Sequence, residues 1–119
     1  MNYDIHSDIK YAPLELVEVG RLAGECTTQW WNQSLCQVND SVVRLGVFQG
    51  EFHWHKHDRE DKFFFVLEGS LLLDLEGRTV ELGTREGLLV PHGVRHRTRA
   101  LQRTVVLMIE AATVVPTGD

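Results

Sequence analysis

Turn-forming residues interrupt this chain so often that only short segments remain between them, a spacing that argues against a helical bundle and for an all-β domain. Asn39-Asp40 separates Ser34–Val38 from Ser41–Phe48, and Glu76-Gly77 separates Leu71–Leu75 from Arg78–Leu82. Both pairs suit the positive φ angles of a tight hairpin turn. Four more apolar or alternating runs follow: Phe63–Leu67, Gly87–Val90, Arg95–Ala100 and Thr104–Ile109. The total is about eight strands, near the number that closes a small barrel or jelly roll. Ahead of them the pattern is ambiguous. Leu14, Val17, Leu22 and Ala23 fit one face of a short helix, whereas Val17 and Val19 alternate as in a strand. Trp30-Trp31 fits either core filling or a subunit contact.

The 119 residues suffice for one core and leave no room for two large domains. Seventeen acids against twelve bases give a net charge of -5, which disfavours a non-specific nucleic-acid binder. That balance is uneven: His92 to Arg103 carries +4 and the rest of the chain -9. Cys26 and Cys36 form no C-x-x-C pair and read as reduced thiols. No basic segment leads into an apolar run, and no stretch approaches the length of a membrane span. A cytoplasmic protein with no membrane or nucleic-acid partner is expected. G-x-S-x-G, a phosphate-cradling glycine loop and H-E-x-x-H are all absent, so no nucleophile signature appears.

The chemically informative stretch is Gly50-Glu51-Phe52-His53-Trp54-His55-Lys56-His57. On a strand, His53, His55 and His57 would share one face while Phe52, Trp54 and Lys56 take the other. Adjacent members of the row would stand about 6.6 Å apart, close enough for two imidazoles to converge on one ion at about 2.1 Å from each nitrogen. His53 and His57, about 13 Å apart, would not. One adjacent pair per ion is therefore expected.

Downstream come Phe64-Phe65-Val66-Leu67-Glu68-Gly69 and Pro91-His92-Gly93-Val94-Arg95-His96. With the H-x-H pair of Trp54-His55-Lys56-His57, these runs resemble the two motifs of a small single-domain cupin. The first motif is H-x-H, then a Glu, then a Gly seven residues on; the second is P-x-G-x-x-H. The resemblance covers about Val42 to Glu110. It implies a double-stranded β-helix, or jelly-roll barrel, over residues 34–112, with an N-terminal extension (1–33) packed on or across it and a tail (113–119). It also implies homodimerisation. Pro116-Thr117-Gly118-Asp119 is expected to fray.

By the same resemblance His55, His57 and His96 ligate a divalent ion: iron, manganese, nickel or zinc. The carboxylate ligand is where this chain departs, because the family's Glu falls on Lys62, and a protonated amine offers no lone pair. Glu60 is a substitute if a local bulge brings it round. The register His53-x-His55 with Glu60 also fits half of the motif, but it leaves Gly69 nine residues beyond the Glu rather than seven. His55 and His57 are therefore preferred, and His53 becomes a pocket base or hydrogen-bonding residue. Three roles fit Lys62: a neighbour of an occupied three-histidine site paired to Glu60 or Asp61, a replacement for the metal's charge in a pocket for anions, or a strand-end lysine reaching solvent.

Between His92 and Arg103, alternation turns Arg95, Arg97 and Arg99 outward if His96 and Thr98 point in, giving a solvated or subunit-facing stripe. Arg44 fits either face of its strand. The expected function is a metal-binding cupin acting on or binding a small polar metabolite, with His53, Glu60 and Lys62 as candidate catalytic residues. The alternative is a metal-free module that binds or senses a small anion.

Overall fold

The computed structural model describes residues 2–119. Eight strands and one short helix follow in the order β1 (Asp4–His6), α1 (Val19–Glu25), β2 (Trp30–Val38), β3 (Ser41–Glu51), β4 (Lys62–Glu68), β5 (Leu71–Leu75), β6 (Arg78–Leu82), β7 (Gly87–Val90) and β8 (His96–Ala111). Both expected two-residue hairpins form, with Val38 opposite Ser41 and Leu75 opposite Arg78. Each turn needs one left-handed residue, Asn39 (φ 50°) in the first and Gly77 (φ 86°) in the second.

Pairing runs β1-β2-β3-β8-β4-β7, with β5 joining β6 and β8. The runs 95–100 and 104–109, expected as two strands, are one sixteen-residue strand. Its first half pairs with β5 and the end of β3, and its second half lies between β3 and β4. That shared strand carries His96 at its start and Glu110 near its end.

Alternation divides the strands cleanly in the middle of the sheet. Trp30, Phe48, Phe64, Val66, Leu73, Val106 and Met108 fill the barrel interior. Leu45, Val47 and Val105 face the other way, under Leu22 and Ala23 of α1. The ambiguous N-terminal stretch thus holds a helix of seven residues without a side-chain cap, kept in place by its two buried apolar residues. Arg44 opposes Met108 and lies on the interior face. β2 begins at Trp30, and β1 adds to it in parallel, with Asp4 opposite Trp31. Among the described residues no helix is long and apolar enough to cross a membrane.

Candidate metal centre

The histidine row does not continue β3 as a regular strand. After Glu51 only an isolated bridge at His55 remains, where His55 and His96 exchange backbone N–H···O bonds of 2.9 Å in each direction. Strict alternation consequently fails: Phe52 and His57 are both buried, while His53 is exposed. The bridge sets His55 beside His96, their rings tilted with centroids 4.4 Å apart, and His57 follows at 5.1 Å from His55 and 6.0 Å from His96.

Ligand nitrogens of His55, His57 and His96 all lie within 4.8 Å of one another. His57 and His96 are buried, and His55 is half-buried with its Nε2 closed off from solvent. The Nδ1 of His55 is 2.9 Å from the His53 carbonyl, and that of His96 is 2.9 Å from the Val94 carbonyl. A carbonyl can only accept, so both Nδ1 atoms carry the proton and both Nε2 atoms present a lone pair. Neither Nε2 has a partner, and neither nitrogen of His57 has one. Buried polar atoms without partners are costly, and an ion between them removes that cost. Burial pushes the His55 imidazole down to about 3 and that of His96 to about 4. It lowers His57 as well, with the Lys62 charge acting in the same direction. All three rings are therefore neutral at pH 7, the form that ligates metal.

These shifts predict a pH dependence. In the unfolded chain the rings protonate near 6.5, whereas in the folded chain His55 and His96 hold out to about 3 and 4. The unfolded state thus binds more protons throughout that window. Metal-free protein should lose stability on the order of several kcal/mol as pH falls from about 6.5 to about 3. The decline between pH 6.5 and 5 is diagnostic because carboxylates stay ionised there, and urea midpoints unchanged between pH 7.5 and 5 would contradict it.

Lys62 is buried, not solvent-reaching, and its partner is neither Glu60 nor Asp61. Its Nζ lies 3.5 Å from Oε2 of Glu110, directly opposite it on β8. Oε1 of Glu110 meets Arg44 Nη1 at 3.1 Å, and Arg44 also donates to Asn32 Oδ1. Burial pushes the Lys62 amine down while Glu110 opposes that shift. Asp61 instead accepts from the backbone N and Nδ1 of His92, and Glu60 accepts from Thr113 Oγ1 at 2.9 Å. Glu60 does not join the three histidines; its carboxylate clusters with His57 and Asp119.

A cupin-domain family profile matches residues 41–111. The chain belongs to the cupin family. It is 46% identical over 90 residues to an uncharacterized protein of Bacillus subtilis strain 168, YdbB, covering 75% of this chain and 80% of that one. A cupin-2 domain protein from Shewanella frigidimarina shares 26% identity at a TM-score of 0.77, covering 81% and 94% of the two chains. Protein NMB1881 of Neisseria meningitidis has the same fold at 23% identity and a TM-score of 0.72, over 82% and 99%.

Two further features of this cupin depart from the expectations. The tail is not frayed. Thr117 O lies 2.6 Å from His53 Nε2, Asp119 N donates to Lys56 O, and Asp58 N donates to Asp119 Oδ2 at 2.6 Å. Gly118 packs so closely that a Cβ there would stand 2.6 Å from that of His55, and its φ of +97° also favours glycine. Both ring nitrogens of His53 are engaged, at Tyr3 OH and Thr117 O. The cavity bounded by Trp30, His55, Lys62, Phe64 and Pro116 has about 20 Å³ left, room for roughly one water.

The arginine stripe does turn outward, with His96 and Thr98 buried as alternation requires, but it is paired rather than free. Arg97 Nε and Arg99 Nε bond the same Asp74 oxygen at 2.6 and 2.5 Å, and Arg95 and Arg97 lie over the Trp54 ring. The Arg99 guanidinium holds Asp74 well below the usual carboxylate range. Asp74 comes from β5, outside the basic segment, which is why that segment reads as unpaired in sequence.

Proposed function

We propose that His55, His57 and His96 hold a divalent ion, one of iron, manganese, nickel or zinc, and that the protein binds a small anionic metabolite at the ion's remaining positions. The observation that carries this reading is the set of buried imidazole nitrogens whose lone pairs have no partner. When bound, such an ion supplies Lewis-acid or oxygen-activating chemistry. Around it the chain's own groups have separate tasks. The carbonyls of His53 and Val94 fix the tautomers of His55 and His96. Lys62, which lines the same cavity as His55, would add positive charge there and so favour an anion. Thr117 O can only accept, so His53 Nε2 carries a proton, and His53 acts as a hydrogen-bond donor to the anion once Thr117 releases it. Phe63, Leu89 and Ile109, adjacent in register on the outer face of β4, β7 and β8, support a second copy of the chain as partner, since Leu89 and Ile109 are exposed.

One observation favours a second reading, a metal-free anion-binding module. Arg44 and Lys62 place two cations against the single carboxylate of Glu110. Elemental analysis of untagged protein, followed by melting with malonate before and after chelator treatment, separates the two. The metal reading expects bound metal and a malonate-induced rise in Tm that disappears on stripping. Protein without metal whose malonate response survives stripping would establish the second reading instead.

A further inference from the structure

We propose that His57, Glu60 and Asp119 form a second divalent-cation site, which clasps the C-terminal segment across the mouth of the barrel. The proposal extends the metal-binding reading, because His57 belongs to both clusters. One nitrogen of His57 and one carboxylate oxygen each from Glu60 and Asp119 lie within 4.8 Å of one another. His57 is only 2% exposed, and both of its ring nitrogens are shut off from solvent without a partner. Imidazole has one nitrogen on each side of the ring, so when one binds an ion at the three-histidine centre the other carries the ring's N–H proton and has no acceptor. An ion held by the two acids displaces that proton to solvent, and His57 bridges the two sites as an imidazolate. Neither acid makes a hydrogen bond to His57, yet a carboxylate oxygen of each stands close enough to a ring nitrogen of His57 to share an ion with it.

Each acid is also held in place by a donor. Thr113 Oγ1 bonds Glu60 at 2.9 Å, and the Asp58 amide bonds Asp119 at 2.6 Å. Ligating carboxylates are commonly oriented by such outer hydrogen bonds. Two carboxylates offset the charge of a divalent ion, and one nitrogen with two oxygens suits zinc or manganese. The structural consequence follows from where the ligands sit. Glu60 lies in the loop before β4, whereas Asp119 ends the segment whose Pro116 borders the cavity and whose Thr117 caps His53. An ion joining them pins that segment down, and its loss frees a segment that borders a cavity too small for a metabolite.

The test is Zn²⁺ stoichiometry by equilibrium dialysis at low micromolar free metal, on untagged, metal-stripped full-length chain. Wild type should retain two ions per chain, Glu60→Gln and Asp119→Asn one each, and His96→Ala one. Glu60 is half-buried and Asp119 exposed, so these two variants should fold. Amide exchange of residues 117–119 should slow at least severalfold with Zn²⁺ in wild type and in His96→Ala, but not in Glu60→Gln. Two ions retained by Glu60→Gln, or a single wild-type ion lost only in His96→Ala, would overturn the second site and leave the three-histidine reading standing. A single ion lost in Glu60→Gln and kept in His96→Ala would do the reverse.

Discussion

Glu110→Ala should cost the protein about 3–5 kcal/mol, enough to leave much of it unfolded. The carboxylate is fully buried, 3.1 Å from Arg44 Nη1 and 3.5 Å from Lys62 Nζ, and both of those side chains are themselves almost without exposure. Truncation leaves two cations inside the barrel with no anion. Lys62 can respond by losing its proton, since burial already pushes it down and Glu110 is what opposes that. Arg44 has no such escape, because a guanidinium stays charged at any accessible pH. Its remaining partner is the amide oxygen of Asn32, a dipole and not a counter-charge. Lys62→Met in the Glu110→Ala background should therefore recover only part of the loss. Urea unfolding measures both variants. A Glu110→Ala cost below about 1 kcal/mol would mean that water reaches Arg44 and that the barrel interior is wetter than its packing indicates.

This trio also marks where sequence reading stopped. Lys62 stood out because it occupies the family's carboxylate position, but nothing local points to Glu110, 48 residues away. The available signal was periodicity. Val106, Met108 and Glu110 share a face, so an acid continues an apolar row into the interior. Ending the run at Ile109 hid it. The break assumed near Leu101-Gln102-Arg103 has a similar origin: those three residues are exposed in succession, which interrupts the alternation although the backbone pairing carries on around them. The turns were legible because Asn39 and Gly77 act through their own φ angles, a local property. Of the three converging histidines, His55 and His57 stood out by their H-x-H spacing, and His96 joined them only through the resemblance to the cupin motifs. The tail was not, because it is held largely through its backbone, Thr117 O on His53 and Asp119 N on Lys56 O, and main-chain groups leave no mark in composition.

Lys62→Glu should act in opposite directions on the metal-free and metal-bound protein, and this makes it the sharpest test of why the chain departs from its family at that position. Lys62 is buried at the head of β4, and its charge disfavours positive charge on His55, His57 and His96 alike. The same field disfavours a divalent ion among them. Substitution removes that repulsion and adds a carboxylate on the interior face, so Zn²⁺ should bind about tenfold more tightly or better. Without metal, the new carboxylate stands opposite Glu110 with only Arg44 to offset both, so the metal-stripped variant should melt below metal-stripped wild type. Lys62→Met, which removes the charge without supplying a ligand, should fall between the two in affinity. Competition against a chelator of known affinity, with melting curves at both metal states, reads all of this. Unchanged Zn²⁺ affinity in both variants would mean that the ion lies out of reach of position 62, and the three-histidine centre would then no longer account for the binding.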